Sequence, residues 1–106
     1  MELTLGIKLD PVLLIILLFG ICFVDANNGW VVGNTGNIWA TTDGGTTWNQ
    51  QGIGVNNQQL NAVFFLDTSH GWAVGNSGTI LSYNGSTWTD RTGAVSSNFN
   101  GIYTLP

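Results

Sequence analysis

The residues that could do chemistry in this chain are few. The acids are Glu2, Asp10, Asp25, Asp43, Asp67 and Asp90, the cations are Lys8 and Arg91, and single copies of histidine and cysteine occur at His70 and Cys22. Glycoside hydrolysis requires a pair of carboxyl groups, or an equivalent nucleophile and acid. The only Glu is close to the N-terminus, and Asp25 and Asp67 occupy the same place in a repeated turn. The serines have no recognisable neighbouring base. The sequence therefore predicts a protein that is not an enzyme.

The sequence also contains no pattern for a metal or a cofactor. One cysteine cannot form a Cys-based metal site or an internal disulfide. Asp43 stands between threonine and glycine in TTDGGTTW, residues 41–48, whereas a calcium loop needs several carboxylates at close spacing. No glycine-rich phosphate loop follows a strand and opens a helix. We therefore expect neither a metal nor a cofactor.

Charge excludes one class of partner. Charged residues make up only 8% of the chain, and the net charge is −4. Two cations cannot neutralise a run of phosphates, so the sequence predicts no binding of nucleic acid. The 15 glycines and 5 tryptophans, with abundant Thr, Val and Ile, are typical of strands joined by tight turns.

These residues are carried by an internal repeat. DANNGWVVGNTGNI (25–38) and DTSHGWAVGNSGTI (67–80) align without a gap, at an offset of 42 residues from Trp30 to Trp72. In the second unit the expected strands are about Asn61–Leu66, Gly71–Gly75, Thr79–Tyr83 and Thr87–Arg91. Four short strands per period of about 40 residues are typical of a propeller blade. Tight hairpins with positive φ are expected at Gly33, Gly36, Gly75 and Gly78.

The predicted architecture is all-β: two four-stranded antiparallel propeller blades plus a terminal strand, an incomplete β-propeller. An N-terminal leader, 1–26, overlaps the first strand of blade 1. Blade 1 then covers 27–58, blade 2 covers 59–98, and the first strand of a third unit covers 99–106.

The TTDGGTTW motif, residues 41–48, resembles a turn found in a known family of repeats. Its spacing resembles the Asp-box of BNR repeats in sialidase-like propellers, with the box formed by Thr41, Asp43, Gly45, Thr47 and Trp48. The fuller unit, GWAVGNSGTIL with LNAVFFLD, resembles the repeats of the photosystem II stability/assembly factor family over 18–106. The resemblance implies that the box is a structural turn, and that the chain is a non-catalytic binding or assembly scaffold. In the second unit SYNGSTW has Asn84 in place of the acid, so that box is expected to be degenerate.

The tryptophans divide into two groups. Trp30 and Trp72 are repeat-equivalent, as are Trp48 and Trp88, so Trp30, Trp72 and Trp88 are expected in the blade core. Trp39 has Leu81 as its counterpart, and an unmatched aromatic could stack on a sugar ring or a protein partner. The competing function is therefore a fragment or module of a carbohydrate-active propeller.

The N-terminal apolar segment, Val12–Val24, allows two interpretations. It is shorter than the about 20 residues of a transmembrane helix. It fits the apolar part of a secretory signal cleaved after Ala26, although Pro11 and the missing positive end count against this. Otherwise it is a core segment. Export would place the protein outside the cytoplasm, in a secreted, periplasmic or thylakoid lumen location. Membrane contact is expected only through this segment, if it is uncleaved.

Two blades cannot close a ring, because propellers need about 4–8. Three interpretations are open: a fragment of a longer propeller, a cyclic homo-oligomer of three or four copies, or an open pair of blades with another partner. Left alone, two blades expose sheet faces and edges that would associate, so we expect a protein partner or self-association through blade edges.

Overall fold

The computed structural model describes residues 18–93 and 97–101, and within them the fold is two four-stranded antiparallel sheets. The first sheet contains β1 (Leu18–Phe23), β2 (Gly29–Gly33), β3 (Ile38–Thr41) and β4 (Asn49–Gln51), and the second contains β5 (Leu60–Asp67), β6 (His70–Gly75), β7 (Ile80–Tyr83) and β8 (Trp88–Asp90). In both sheets the strands pair in chain order. The prediction of an all-β fold with two four-stranded blades is confirmed. In this part of the chain we find no helix with the length and apolar character needed to span a membrane.

Both ends of the chain bear on the predicted boundaries. Most of the predicted leader lies outside the described residues, but its apolar segment becomes β1 from Leu18 onward. Of the predicted third-unit strand, 102–106 lie outside the described residues. The N–H of Phe99 donates to the carbonyl of Gly75 at 2.9 Å, and the carbonyl of Phe99 accepts from Asn61 Nδ2 at 2.8 Å. The segment around Phe99 is thus held at the end of β6.

The two sheets repeat each other in the pairing of their first three strands. Cys22 lies opposite Trp30 in the first sheet, and Phe64 lies opposite Trp72 in the second. Both first strands also carry an irregularity at the same place, between Leu18 and Gly20 and between Leu60 and Ala62. The offset of 42 seen in the sequence is therefore kept in the register of the first three strands, including the irregularity, whereas the fourth strands match at an offset of 40, from Asn49 to Thr89.

The β1–β2 and β5–β6 hairpins turn on equivalent aspartates. The Asp25 carboxylate accepts the N–H of Asn28 at 2.8 Å and its side-chain amide at 3.0 Å. In the second sheet Asp67 accepts the N–H of Ser69 and Nδ1 of His70, both at 2.8 Å. Asn and His thus exchange in this turn because each contacts the carboxylate three residues earlier.

A short 3₁₀ turn joins the second and third strands of each sheet, at Asn34–Gly36 and Asn76–Gly78. Gly36 and Gly78 have positive φ (71° and 68°), as expected. Gly33 and Gly75 differ from the prediction, since their φ values of −159° and −166° are extended. At Gly75 the constraint is close approach, because a Cβ there would lie 1.9 Å from the Gln59 carbonyl oxygen. The other left-handed residue of each turn is not a glycine but Thr35 or Ser77 (φ 52° and 57°).

The core lies between the two sheets. We call the face that carries Trp30 in the first sheet, and Trp72 in the second, the stacking face. The opposite face, which carries Phe23 in the first sheet and Phe65 in the second, is the receiving face. The stacking face of the first sheet packs on the receiving face of the second, and the buried residues of this contact are Trp30, Val32, Ile38, Ala40, Leu60, Val63, Phe65, Ala73, Leu81 and Trp88.

The first strands of the two sheets run close together at one side of this core. A Cβ on Gly20 of β1 would lie 3.1 Å from the Cα of Ala62 in β5 and 3.0 Å from a methyl of Val32. These distances are shorter than ordinary van der Waals contact between carbon atoms. A side chain at this position would therefore push β1 away from β5.

Candidate functional site

An aromatic cluster joins the two sheets. The ring of Trp30 stacks on that of Phe65 with centroids 3.5 Å apart and planes 5° apart. Trp88 meets Phe65 edge-on at 5.7 Å, and Tyr83 lies 5.1 Å from Trp88. Trp30 and Phe65 are each 4% exposed. The tryptophans Trp30 and Trp88 thus both lie in the core between the sheets.

Two polar contacts reinforce this junction at the outer strands. Nε1 of Trp88 donates to Oε1 of Gln51 at 3.1 Å, and Nδ2 of Asn56 donates to a carboxylate oxygen of Asp90 at 2.9 Å. Each bond runs from one repeat unit to the other. A buried indole N–H needs an acceptor, so Gln51 fixes the orientation of the Trp88 ring.

The TTDGGTTW stretch is a closed network of hydrogen bonds around Asp43. One carboxylate oxygen accepts the Thr41 hydroxyl at 2.8 Å and the Thr47 N–H at 2.9 Å, and the other accepts the Thr47 hydroxyl at 2.5 Å. The Thr41 oxygen accepts the Gly45 N–H at 2.9 Å, and Trp48 Nε1 donates to the Gly45 carbonyl at 3.0 Å. Every residue that the Asp-box resemblance singled out thus takes part in one turn.

This network accounts for the acidity of Asp43. Hydrogen bonds from the side chain and then the backbone N–H of Thr47, followed by that from Thr41, lower the pKa of Asp43 to about 2. The pKa of Asp67 is also lowered, first by the hydrogen bond from His70. Both groups are ionised acceptors at neutral pH, so neither is suited to donate a proton in catalysis.

The second unit keeps this turn with an amide in place of the carboxylate. Asn84 Oδ1 accepts the N–H groups of Ser86 and Thr87, both at 2.9 Å. Gly85 supplies the left-handed backbone, with φ of 98°. The box lacks its acid but retains the acceptor that bends the chain.

Trp72 differs from the expectation of a core residue, because it is only half-buried. It lies on the stacking face of the second sheet, which no described sheet covers. An open depression of about 450 Å³ lies there, lined by His70, Trp72, Ile80, Ser82, Tyr83, Asn84, Thr89 and Arg91. The equivalent face of the first sheet is buried only because the second sheet packs on it.

Trp39, the candidate binding aromatic, lies on the receiving face of the first sheet. It is half-buried and packs with Trp48 around Val31. Its counterpart Leu81 is fully buried against the first sheet. Trp39 therefore occupies a position where the fold places a contact between sheets.

A second cleft opens between the sheets at their outer strands. It is open to solvent, has a volume of about 430 Å³ and is lined by Gln50, Gln51, Gly52, Ile53, Val55, Tyr83, Ser86, Thr87 and Trp88. We call it the inter-sheet cleft. Its lining contains two side-chain amides, two aliphatic hydroxyls and no charged group. Ile53 is 77% exposed at its rim. Amides and hydroxyls beside aromatic rings suit an uncharged, extended ligand with hydrogen-bonding groups of its own.

Among residues 18–93 and 97–101, no three His, Cys, Asp or Glu side chains come together as metal ligands. The one close pair of titratable groups in that part is Asp67 and His70, 2.8 Å apart. This pair closes the turn between β5 and β6 and lies on the surface.

The sequence and the fold of the chain both match one known group of proteins. The family model described as photosynthesis system II assembly factor YCF48 matches residues 8–89. The chain belongs to this family. No curated protein matches the chain. Among solved structures, one described as YCF48 bound to D1 peptide superposes with a TM-score of 0.61 at 28% sequence identity.

The match to that structure covers 69% of this chain but 25% of the YCF48 chain. The chain thus spans about a quarter of the length of this solved relative. The resemblance to the BNR repeats of photosystem II assembly factors is confirmed by the family and by the fold.

Proposed function

We propose that this chain is a non-catalytic binding module that assists assembly of a membrane protein complex, as a photosystem II assembly factor-like protein. The observation that carries this proposal is the inter-sheet cleft. Its amides and hydroxyls offer hydrogen bonds to a peptide backbone, and the half-buried Tyr83 ring and the exposed Ile53 offer apolar contact. The YCF48 structure that this chain resembles holds a D1 peptide. We infer that an uncharged stretch of a protein chain is the ligand.

The chemical character of the cleft supports the same function. The described lining has no acid, no histidine and no cysteine. The acids outside it hold turns, as Asp43 and Asp67 do. A binding role needs none of these groups, whereas hydrolysis of a glycoside needs a pair of them.

The D1 peptide that the solved relative holds is the natural probe. We expect calorimetry to show saturable binding of this peptide to the chain. The Ile53→Ser variant should bind it about tenfold more weakly, because burial of an isoleucine side chain is worth about 1.5–3 kcal/mol. Gly93→Ala is the matched control, since it adds a methyl group at a site with open space and lies outside the cleft. Equal binding of a scrambled peptide would contradict the proposal. So would saturable binding on a glycan array.

We further propose an extracytoplasmic location, in the thylakoid lumen or an equivalent compartment. The part of the apolar segment that precedes β1 in the sequence, residues 12–17, and the family match support it. Export of a reporter enzyme fused after Pro106 tests this, with a fusion that lacks residues 1–17 as control. Equal export of the two fusions would contradict a role of the segment.

A further inference from the structure

The described residues contain one complete contact between sheets and both halves of a second. In the complete contact, Trp30 of the first sheet lies on Phe65 of the second. The repeat counterpart of Trp30 is Trp72, and that of Phe65 is Phe23, each 42 residues away. Trp72 lies on the open stacking face of the second sheet and Phe23 on the open receiving face of the first. These two faces are at opposite ends of the pair of sheets.

The open receiving face already has the form of the occupied one. Phe23 meets Trp48 edge-on at 6.1 Å and 86°, as Phe65 meets Trp88 at 5.7 Å and 80°. The Phe23 ring lies flat on Gly29, where a Cβ would be 2.6 Å from it, as the Phe65 ring lies on Gly71. Phe23 is 41% exposed, however, whereas Phe65 is 4% exposed. The acceptor for a stacking indole is therefore formed in advance and uncovered.

The open stacking face matches in the same way. Trp72 lies between Phe64 and Ser82 in register, as Trp30 lies between Cys22 and Ala40. Ile80, half-buried on this face, is the counterpart of Ile38, which is fully buried in the complete contact. The face thus offers the aromatic and the aliphatic group that the receiving face of the second sheet accepts from the first.

We propose that each open face is covered by a second copy of this chain, with Trp72 of one copy stacked on Phe23 of the next. The new contact reproduces the one between the two sheets of a single chain. Because it joins two different faces, it is heterologous, and copies add head to tail until a ring closes. With two described sheets per copy, two to four copies complete a ring of the size known for propellers, about 4–8 blades.

Light scattering on the purified chain tests this proposal. One chain has a mass of 11.3 kDa, and we expect two to four times that value. Trp72→Ala and Phe23→Ala should each lower the mass to that of one chain, while Ile53→Ser should leave it unchanged. Circular dichroism checks that each variant retains its strands.

Mixing the two variants gives the sharpest result. The Trp72→Ala chain keeps Phe23, and the Phe23→Ala chain keeps Trp72, so an equimolar mixture has one intact contact. We expect a dimer of one copy of each variant, and no growth beyond it. A single-chain mass for the unaltered protein at its highest soluble concentration would overturn the proposal, as would a mixture that stays at the single-chain mass. Association that survives both variants would also overturn it.

This inference does not depend on peptide binding, and the two are tested apart. Ile53→Ser should weaken binding of the D1 peptide without changing mass, and Trp72→Ala should change mass without weakening that binding. A single-chain species that binds the peptide would refute only self-association. An oligomer without affinity for the peptide would refute only the proposed function.

Discussion

The indole of Trp30 lies parallel to the phenyl ring of Phe65, 3.5 Å away, and so joins a strand of the first sheet to one of the second. Neither sheet can bury its apolar face alone, because the apolar face of a sheet must pack against another element. The packing of one sheet on the other therefore depends on this aromatic pair.

Removal of the Trp30 ring should destabilise the fold strongly. Trp30→Ala leaves a cavity against Phe65, and such truncations cost about 3–5 kcal/mol. Trp30→Phe should cost much less, because the buried Nε1 has no hydrogen-bond partner among residues 18–93 and 97–101. Urea unfolding measures both. Equal losses for the two variants would show that stacking area does not control this contact.

A methyl group at Gly71 tests whether the Phe65 ring packs directly on the backbone of that residue. The Cβ of Gly71→Ala would lie 2.3 Å from that ring, so the ring must move out of the stack. Overpacking of this kind costs about 1–3 kcal/mol. Gly93→Ala is the control, because nothing lies within 4 Å of its Cβ. Unfolding midpoints that coincide for the two variants would contradict the packing described.

Acid should weaken the Asp43 turn. Its pKa falls from an ordinary value of 3.8 to about 2 in the folded protein. Because the folded value is the lower one, the stabilisation is complete above the unfolded pKa and is lost as the pH drops through about 2. Asp43→Asn should flatten this part of the dependence of unfolding on pH. It will not abolish it, since the pKa values of Asp25, Asp67 and Asp90 are also lowered. A variant with the unaltered pH profile would contradict the network.

Restoring the acid of the degenerate box should stabilise the second sheet. In Asn84→Asp the N–H groups of Ser86 and Thr87 would donate to a carboxylate, and such bonds are stronger than neutral ones. At this exposed site we expect a gain of about 0.5–1 kcal/mol at pH 7. The gain should shrink steadily as the pH falls and the new carboxyl group is protonated, because a neutral Asp resembles Asn. Thermal unfolding at neutral and at acid pH measures it, and a gain that persists in acid would contradict the explanation.

Much of this fold follows from the repeat, and the exceptions have identifiable causes. The predicted strand Asn61–Leu66 lies within β5, Leu60–Asp67, because a short run of apolar residues that ends at the turn residues DTSHG is typical of a buried strand. Burial of Trp72 does not follow from that of its twin Trp30, because burial depends on a neighbouring sheet that local pattern does not specify. The positive φ of Thr35 and Ser77 could not be predicted from the sequence, because the neighbouring glycines are the residues expected to adopt a left-handed conformation.

The site is less accessible to sequence reasoning. Spacing alone identifies the Asp-box residues, because it reports local hydrogen bonds. The inter-sheet cleft has no such signal, because it depends on contacts such as that between Gln51 and Trp88, 37 residues apart. Trp39 is conspicuous in the sequence because the equivalent residue of the second unit, Leu81, is not a tryptophan. Leu81 packs against a neighbouring sheet, so the position of Trp39 is one at which the fold makes contacts between sheets.

Gly20 has a consequence for geometry on a larger scale. Its missing side chain lets β1 approach the backbone of β5 near Ala62. That spacing sets the wedge angle between successive blades, and the wedge angle sets how many blades fill a full circle. A bulkier residue at Gly20 would hold the blades further apart on the side where β1 and β5 meet. A closed assembly would then have a wider central channel and a different number of blades.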